Sequence, residues 1–212
     1  MNTLAIDPLL IFWFISFLLS FPIPSNPKSL LFPILSSFLN PEFALRKLHV
    51  MLSVNSKKAI AARYSNGFYS DHYGACDLLE EVNFQHKIKA LYADRAYDRH
   101  KLYKLCKKYD IKTKVLPKKD AAEHSKIDYM SDRNAAIRLI KLYGQDGVKE
   151  WKKKAIYGKR SYIEGFFSRL KQVFGFSFRN KSEVNREKEL LIKCYLLNKF
   201  TDIGMAKFEI IT

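Results

Sequence analysis

The sequence predicts an α/β domain in which helices flank a mixed sheet. In the middle of the chain a strand-like run, a helical run and a second strand-like run follow in that order, which implies a parallel crossover. Upstream, two short runs rich in β-branched and apolar residues read as an antiparallel hairpin. An apolar fraction of 48% with 14% aromatics over 212 residues is enough for one real core and argues against disorder.

Taken in order, the hairpin is "RKLHVMLSV" and "KAIAARYS", parted by Asn55, Ser56 and Lys57. A helix is predicted over about residues 73–82. "HKIKALYAD" then sets Ile88, Ala90 and Tyr92 against Lys87 and Lys89, the alternation of a strand, and ends at Asp94. "DRHKLYKLCKKY" has helical spacing, and "IKTKVLP" is a strand stopped by Pro117. Further helices are predicted over about residues 132–143, 161–174 and 185–200.

Residues 1–45 differ from the rest. Their apolar run, residues 9–21, is 13 long, short of the ~20 that a spanning helix needs. No Lys or Arg precedes it, so the charged start of a secretory signal is missing. It reads as a buried or misfit apolar segment in preference to a membrane anchor. Prolines at 22, 24, 27, 33 and 41 break any regular element through this part. The folded domain is therefore expected over residues 46–205, with 1–45 as an atypical segment.

The formal charge is +16, and residues 1–45 contribute −1 of it through Lys28, Asp7 and Glu42. The remaining +17 points to a polyanionic partner, because each Lys or Arg set against a phosphate releases condensed counterions. Nucleic acid leads, and an anionic membrane surface comes second. Cys76, Cys106 and Cys194 are odd in number and form no C-x-x-C pair, which fits a reducing, cytoplasmic setting. The five histidines show no metal-ligand spacing.

The chemistry concentrates in "YGKRSYIEGFFSRLK", where Glu164 is one acid among Lys159, Arg160, Arg169 and Lys171, with Lys154 just before the stretch. On a helix, Tyr157, Arg160, Glu164 and Lys171 fall within an arc of roughly 60°. The apolar residues Ile163, Phe166, Phe167 and Leu170 take a separate arc that can be buried. Ser161, three residues before Glu164, makes a capping box the competing explanation for the acid. Taken alone, Glu164 suits either role. Asp94 breaks the tie, because a carboxylate at the carboxyl end of a parallel strand lies on the edge where open α/β sheets build their sites. Asp98 is free to cap the following helix, and Asp128 and Asp132 are expected at other helix starts. Two acids on rigid elements in a basic cleft suit Mg²⁺ or Mn²⁺ and phosphoryl transfer on nucleic acid.

With these residues in view, the chain resembles the DDE transposases of insertion sequences, in the branch carrying Y-x2-R-x3-E-x6-K. Tyr157, Arg160, Glu164 and Lys171 match that spacing at all four positions. The likeness extends through "RKLHVMLSV", "LYADRAYD", "VLPKK" and "GVKEWKKKAIYGKR". It implies an RNase H-like fold, with Asp94 as the second catalytic Asp and Glu164 as the catalytic Glu, both binding Mg²⁺. It further implies that Arg160 and Lys171 contact DNA phosphates, with Tyr157 packing near the strand end; Tyr157, Lys159 and Lys154, beside them in the basic segment, are read as DNA-contacting too. The partners on this reading are DNA, as transposon ends and target, and a second copy of the chain in a homodimer; no stable membrane association is expected.

The chain departs from the family at its amino end, where the first catalytic Asp is expected on the strand before "KLHV". Asp7 in "TLAID" is the acid upstream in a strand-like setting, but Pro8 and the apolar run follow it. A disrupted first strand would leave either a transposase by descent or a non-catalytic DNA-binding remnant; a basic membrane-associated protein is the third reading.

Overall fold

The computed structural model of the protein describes residues 9–15, 46–85, 87–175, 177–180 and 182–204. Five strands form one sheet in the order β3-β2-β1-β4-β5, where β1 is Leu9–Ile15, β2 Arg46–Ser53, β3 Ala59–Asn66, β4 Ala90–Ala93 and β5 Lys112–Val115. β2 pairs antiparallel with both β1 and β3, whereas β4 lies parallel to both β1 and β5. This mixed order is the RNase H-like arrangement that the motif resemblance implies.

The apolar run at the amino end supplies β1, the central strand of the sheet. The prolines that argue against regular structure begin at residue 22, beyond its end. Its unbroken apolar composition is that of a strand between two others. Its neighbour β4 is four residues long, all of them buried.

Among the described residues six α-helices accompany the sheet: α1 Asp71–Gln85, α2 His100–Lys108, α3 Ser131–Leu142, α4 Gly147–Lys154, α5 Tyr162–Phe174 and α6 Glu183–Ile203. Strand alternation divides the core between two faces. On one, Met51 and Leu91 pack with Leu78 and Leu79 of α1 and Leu102 and Cys106 of α2. On the other, Leu48, Val50, Leu52 and Tyr92 pack with Trp151 of α4, Phe166 and Phe167 of α5 and Leu197 of α6. All three cysteines are buried and free.

Helix α4 is absent from the sequence-based expectation. Its eight residues bury only Gly147 and Trp151, too few to show a helical period. What starts it is tertiary: Gly147 sits so close to α3 that a Cβ there would lie 1.9 Å from the Ile140 carbonyl oxygen. At the sheet edge, Asn198 of α6 both accepts from the Ala59 amide (2.8 Å) and donates to the Ala59 carbonyl (2.7 Å), satisfying the start of β3. Among the described residues no helix is long and apolar enough to cross a membrane.

Candidate active site

Asp94 closes β4. Its Oδ1 accepts the Ala96 amide at 2.7 Å and caps a 3-10 turn, Arg95–Tyr97. Capping is the competing explanation for Asp94, with Asp98 expected to cap the next helix instead; Asp94 does cap this turn, and the helix after Asp98 starts without a side-chain cap. Asp98 is buried, accepting from Arg133 Nε at 2.7 Å, the Tyr103 hydroxyl at 3.1 Å and the Lys118 amide at 2.9 Å. Arg133 lies 35 residues away on α3, so no local pattern could announce this partner. Asp132 stands in the first turn of α3 as expected, but it also accepts from the Thr113 amide (2.7 Å) and hydroxyl (3.2 Å), joining α3 to β5. Asp128 pairs with Lys107 at 3.2 Å.

The basic motif reaches Asp94 through one contact. After α4, Ile156 adopts a left-handed conformation (φ 53°) that turns the chain back, and Tyr157 opens a 3-10 helix, Tyr157–Ser161, ahead of α5. The Tyr157 ring packs on Trp151, with centroids 5.1 Å apart, and its buried hydroxyl donates to the Ala93 carbonyl at 2.9 Å. The residue beside Asp94 is thereby tied to the motif 64 positions on.

Because residues 157–161 are 3-10, the single α-helical face expected for Tyr157, Arg160, Glu164 and Lys171 is not the geometry found. Three residues per turn still align Tyr157 with Arg160, whose guanidinium lies over the Tyr157 ring at 5.8 Å. Arg160 Nη2 then donates to Glu164 Oε1 at 2.6 Å. Ser161 makes no side-chain cap; its hydroxyl donates instead to the Gly158 carbonyl at 2.8 Å. The capping box that competed for Glu164 is therefore not formed. Burial pushes the Tyr157 phenol up to about 12; Arg160 and Arg95 oppose the rise, and Asp94 and Glu164 add to it. Both carboxylates thus lie within electrostatic reach of one hydroxyl.

Of the remaining basic candidates, Lys159 is half-buried in the 3-10 helix and Lys171 half-buried in the last turn of α5. Lys154 is exposed and folds onto Tyr143, 3.2 Å from its hydroxyl and 5.0 Å from its ring centre. Asp94, Tyr157, Arg160 and Glu164 form one neighbourhood, whereas Lys154 is engaged elsewhere.

Asp7 lies outside the described residues. The pairing of β1 with β4 runs Leu9↔Ala90, Leu10↔Leu91 and Ile11↔Tyr92, so continuing the register brings Trp13 level with Asp94. Leu9 stands about 13 Å short of that level at 3.3 Å per residue. β1 itself, "LLIFWFI", contains no ionisable side chain. Among the described residues no group of three His, Cys, Asp or Glu side chains could hold a metal ion. The described donors do not fit the paired-ion centre that the resemblance implies, for which a third acid between the ions is required.

Residues 40–199 match the family model described as "Transposase DDE domain". Among solved structures, the catalytic core domain of BIV integrase aligns over 94% of this chain and 86% of that chain, with 11% sequence identity and a TM-score of 0.42.

Proposed function

Because the chain belongs to the transposase DDE domain family through residues 40–199, we propose that it binds DNA through the basic segment around Tyr157, Arg160 and Lys171 and, as written, cleaves it little or not at all. The observation that carries this reading is the strand level with Asp94. The sequence of β1, whose backbone register runs level with Asp94, is wholly apolar where the family's first acid is expected.

On this reading Arg160, Lys159 and Lys171 contact phosphates, a sequence-independent interaction that sets register on the duplex. Tyr157 is a positioning residue that fixes this segment to the end of β4. Asp94 and Glu164 are the second and third acids of the family's metal-dependent strand cleavage and transfer. Two carboxylates in a cationic setting hold one Mg²⁺ or Mn²⁺ weakly, whereas in-line displacement needs a pair of ions.

Two measurements test the proposal. Binding to a labelled duplex should weaken steeply between about 50 and 200 mM salt, because many phosphates are contacted; a flat response would remove the DNA reading. Supercoiled plasmid or element-end duplex incubated with Mn²⁺ should stay largely intact. Clear nicking that disappears in Asp7→Ala would refute the inactivity and identify Asp7 as the first acid, and nicking indifferent to Asp7 would refute it equally and assign that role to another residue.

A further inference from the structure

The segment "VLPKK" is part of the family resemblance that the proposed function leaves unused. It leaves the sheet on the same edge as the candidate site, since Val115 of β5 pairs with Ala93 of β4. Lys118 and Lys119 follow at once, both exposed. Loops of this kind are ordinarily solvated and mobile. This one is held at three points by buried side chains.

The first hold is Asp98, which accepts the Lys118 amide at 2.9 Å. The second is Arg133, which pairs with Asp98 and donates through Nη1 to the Ala122 carbonyl at 2.8 Å. The third is Asn134, which accepts the His124 amide at 3.0 Å and returns a bond to the His124 carbonyl at 3.1 Å. Asp98, Arg133 and Asn134 are each under 10% exposed. Burying an ion pair is a weak source of stability, because desolvation offsets the attraction. What these groups accomplish is geometric: they fix a loop whose outer side carries Lys118 and Lys119. Of the two acids in the loop, Glu123 is paired with Arg138 at 2.7 Å, which leaves Asp120 as the acid beside the two lysines.

We propose that the Lys118–Lys119 turn is a preset phosphate-contacting arm for duplex DNA, held in place by Asp98, Arg133 and Asn134. The inference rests on the DNA reading given above and extends the contact surface across the sheet edge to β5. A preset arm loses little conformational entropy on binding, so its two ammonium groups add nearly their full counterion-release contribution.

The test uses the whole chain and a labelled duplex titrated at several salt concentrations. Lys118→Ala with Lys119→Ala, both exposed and so harmless to folding, should reduce the slope of log affinity against log salt by about 2 and weaken binding about tenfold at moderate salt. Asp120→Asn should tighten binding. Asn134→Leu removes no charge, yet it should weaken DNA binding and speed hydrogen exchange at His124, an amide expected to exchange slowly in the parent because Asn134 accepts its hydrogen bond. If the double lysine variant keeps the parental slope while Lys171→Ala lowers it, the arm is refuted and the DNA reading stands. If the parent itself binds without salt dependence, both fall. Rapid exchange at the Lys118 and His124 amides of the parent would overturn the preset geometry even where the lysines matter.

Discussion

Replacing Tyr157 by Phe removes one oxygen atom and tests the contact that assembles the candidate site. The hydroxyl is buried and donates to the Ala93 carbonyl at 2.9 Å, while the ring's packing on Trp151 survives the change. A hydrogen bond of this kind contributes about 1 kcal/mol net, and the buried carbonyl left behind adds a desolvation penalty of similar size. The expected loss is about 1–2 kcal/mol, or a fall in Tm of about 3–6 °C for a chain of this length. Urea unfolding at pH 8 measures it, and the salt slope of DNA binding should not move, because no cation is lost. A second signature lies at alkaline pH. The folded state holds the phenol proton up to about 12, mainly through burial, against an ordinary value of 10.0. Stability from this group is therefore complete below pH 10 and is lost as pH rises toward 12. The gap between parent and variant should narrow across that window. A stability change within about 0.3 kcal/mol of zero at pH 8, against the ~1 kcal/mol expected of a buried hydrogen bond, would refute the claim that this bond ties motif to strand.

Four further outcomes follow from other parts of the molecule. Glu164→Gln should change stability by less than about 0.5 kcal/mol, since its pair with Arg160 is 42% exposed on the glutamate side, and should tighten DNA binding; a loss of about 2 kcal/mol would contradict the small worth of that exposed pair. Burial, then Lys47 and Arg63, lower the His49 imidazole to about 4 against the opposing pull of Asp77. Its contribution is thus present above pH 6.5 and lost as pH falls toward 4, about 2 kcal/mol between pH 7 and 5 by urea unfolding, and His49→Asn should flatten that fall. Ile156→Gly should stabilise by about 0.5 kcal/mol, because relief of a left-handed β-branched residue outweighs the added chain entropy; clear destabilisation in thermal melts would contradict it. Gly147→Ala should cost more than about 2 kcal/mol, since the added carbon meets backbone that cannot rotate away, and a Tm unchanged from the parent would rule that out.

The features legible in the sequence are those carried by short-range pattern. The hairpin, the apolar stripe of α5 and the strand ending at Asp94 each follow from alternation, helical spacing or punctuation within about a dozen residues. The Y-x2-R-x3-E-x6-K spacing is equally local, and so the family could be read from it. The excess of positive charge, a sum over residues, needs no structure at all.

What the tertiary structure alone decided are the partnerships between distant residues. Periodicity cannot tell a buried central strand from a misfit apolar segment, because both are simply apolar; β1 is resolved only by its ladders to β2 and β4. Asp98 looks like a cap until Arg133 and the Lys118 amide close on it. Helix α4 depends on an approach to Ile140 that only a glycine permits. Whether Ser161 and Glu164 form a capping box turns on a 3-10 helix that local spacing does not distinguish from an α-turn. In each case the deciding energy is a hydrogen bond, an ion pair or a close contact made across the fold, and such terms have no signature along the chain until the fold brings the partners together.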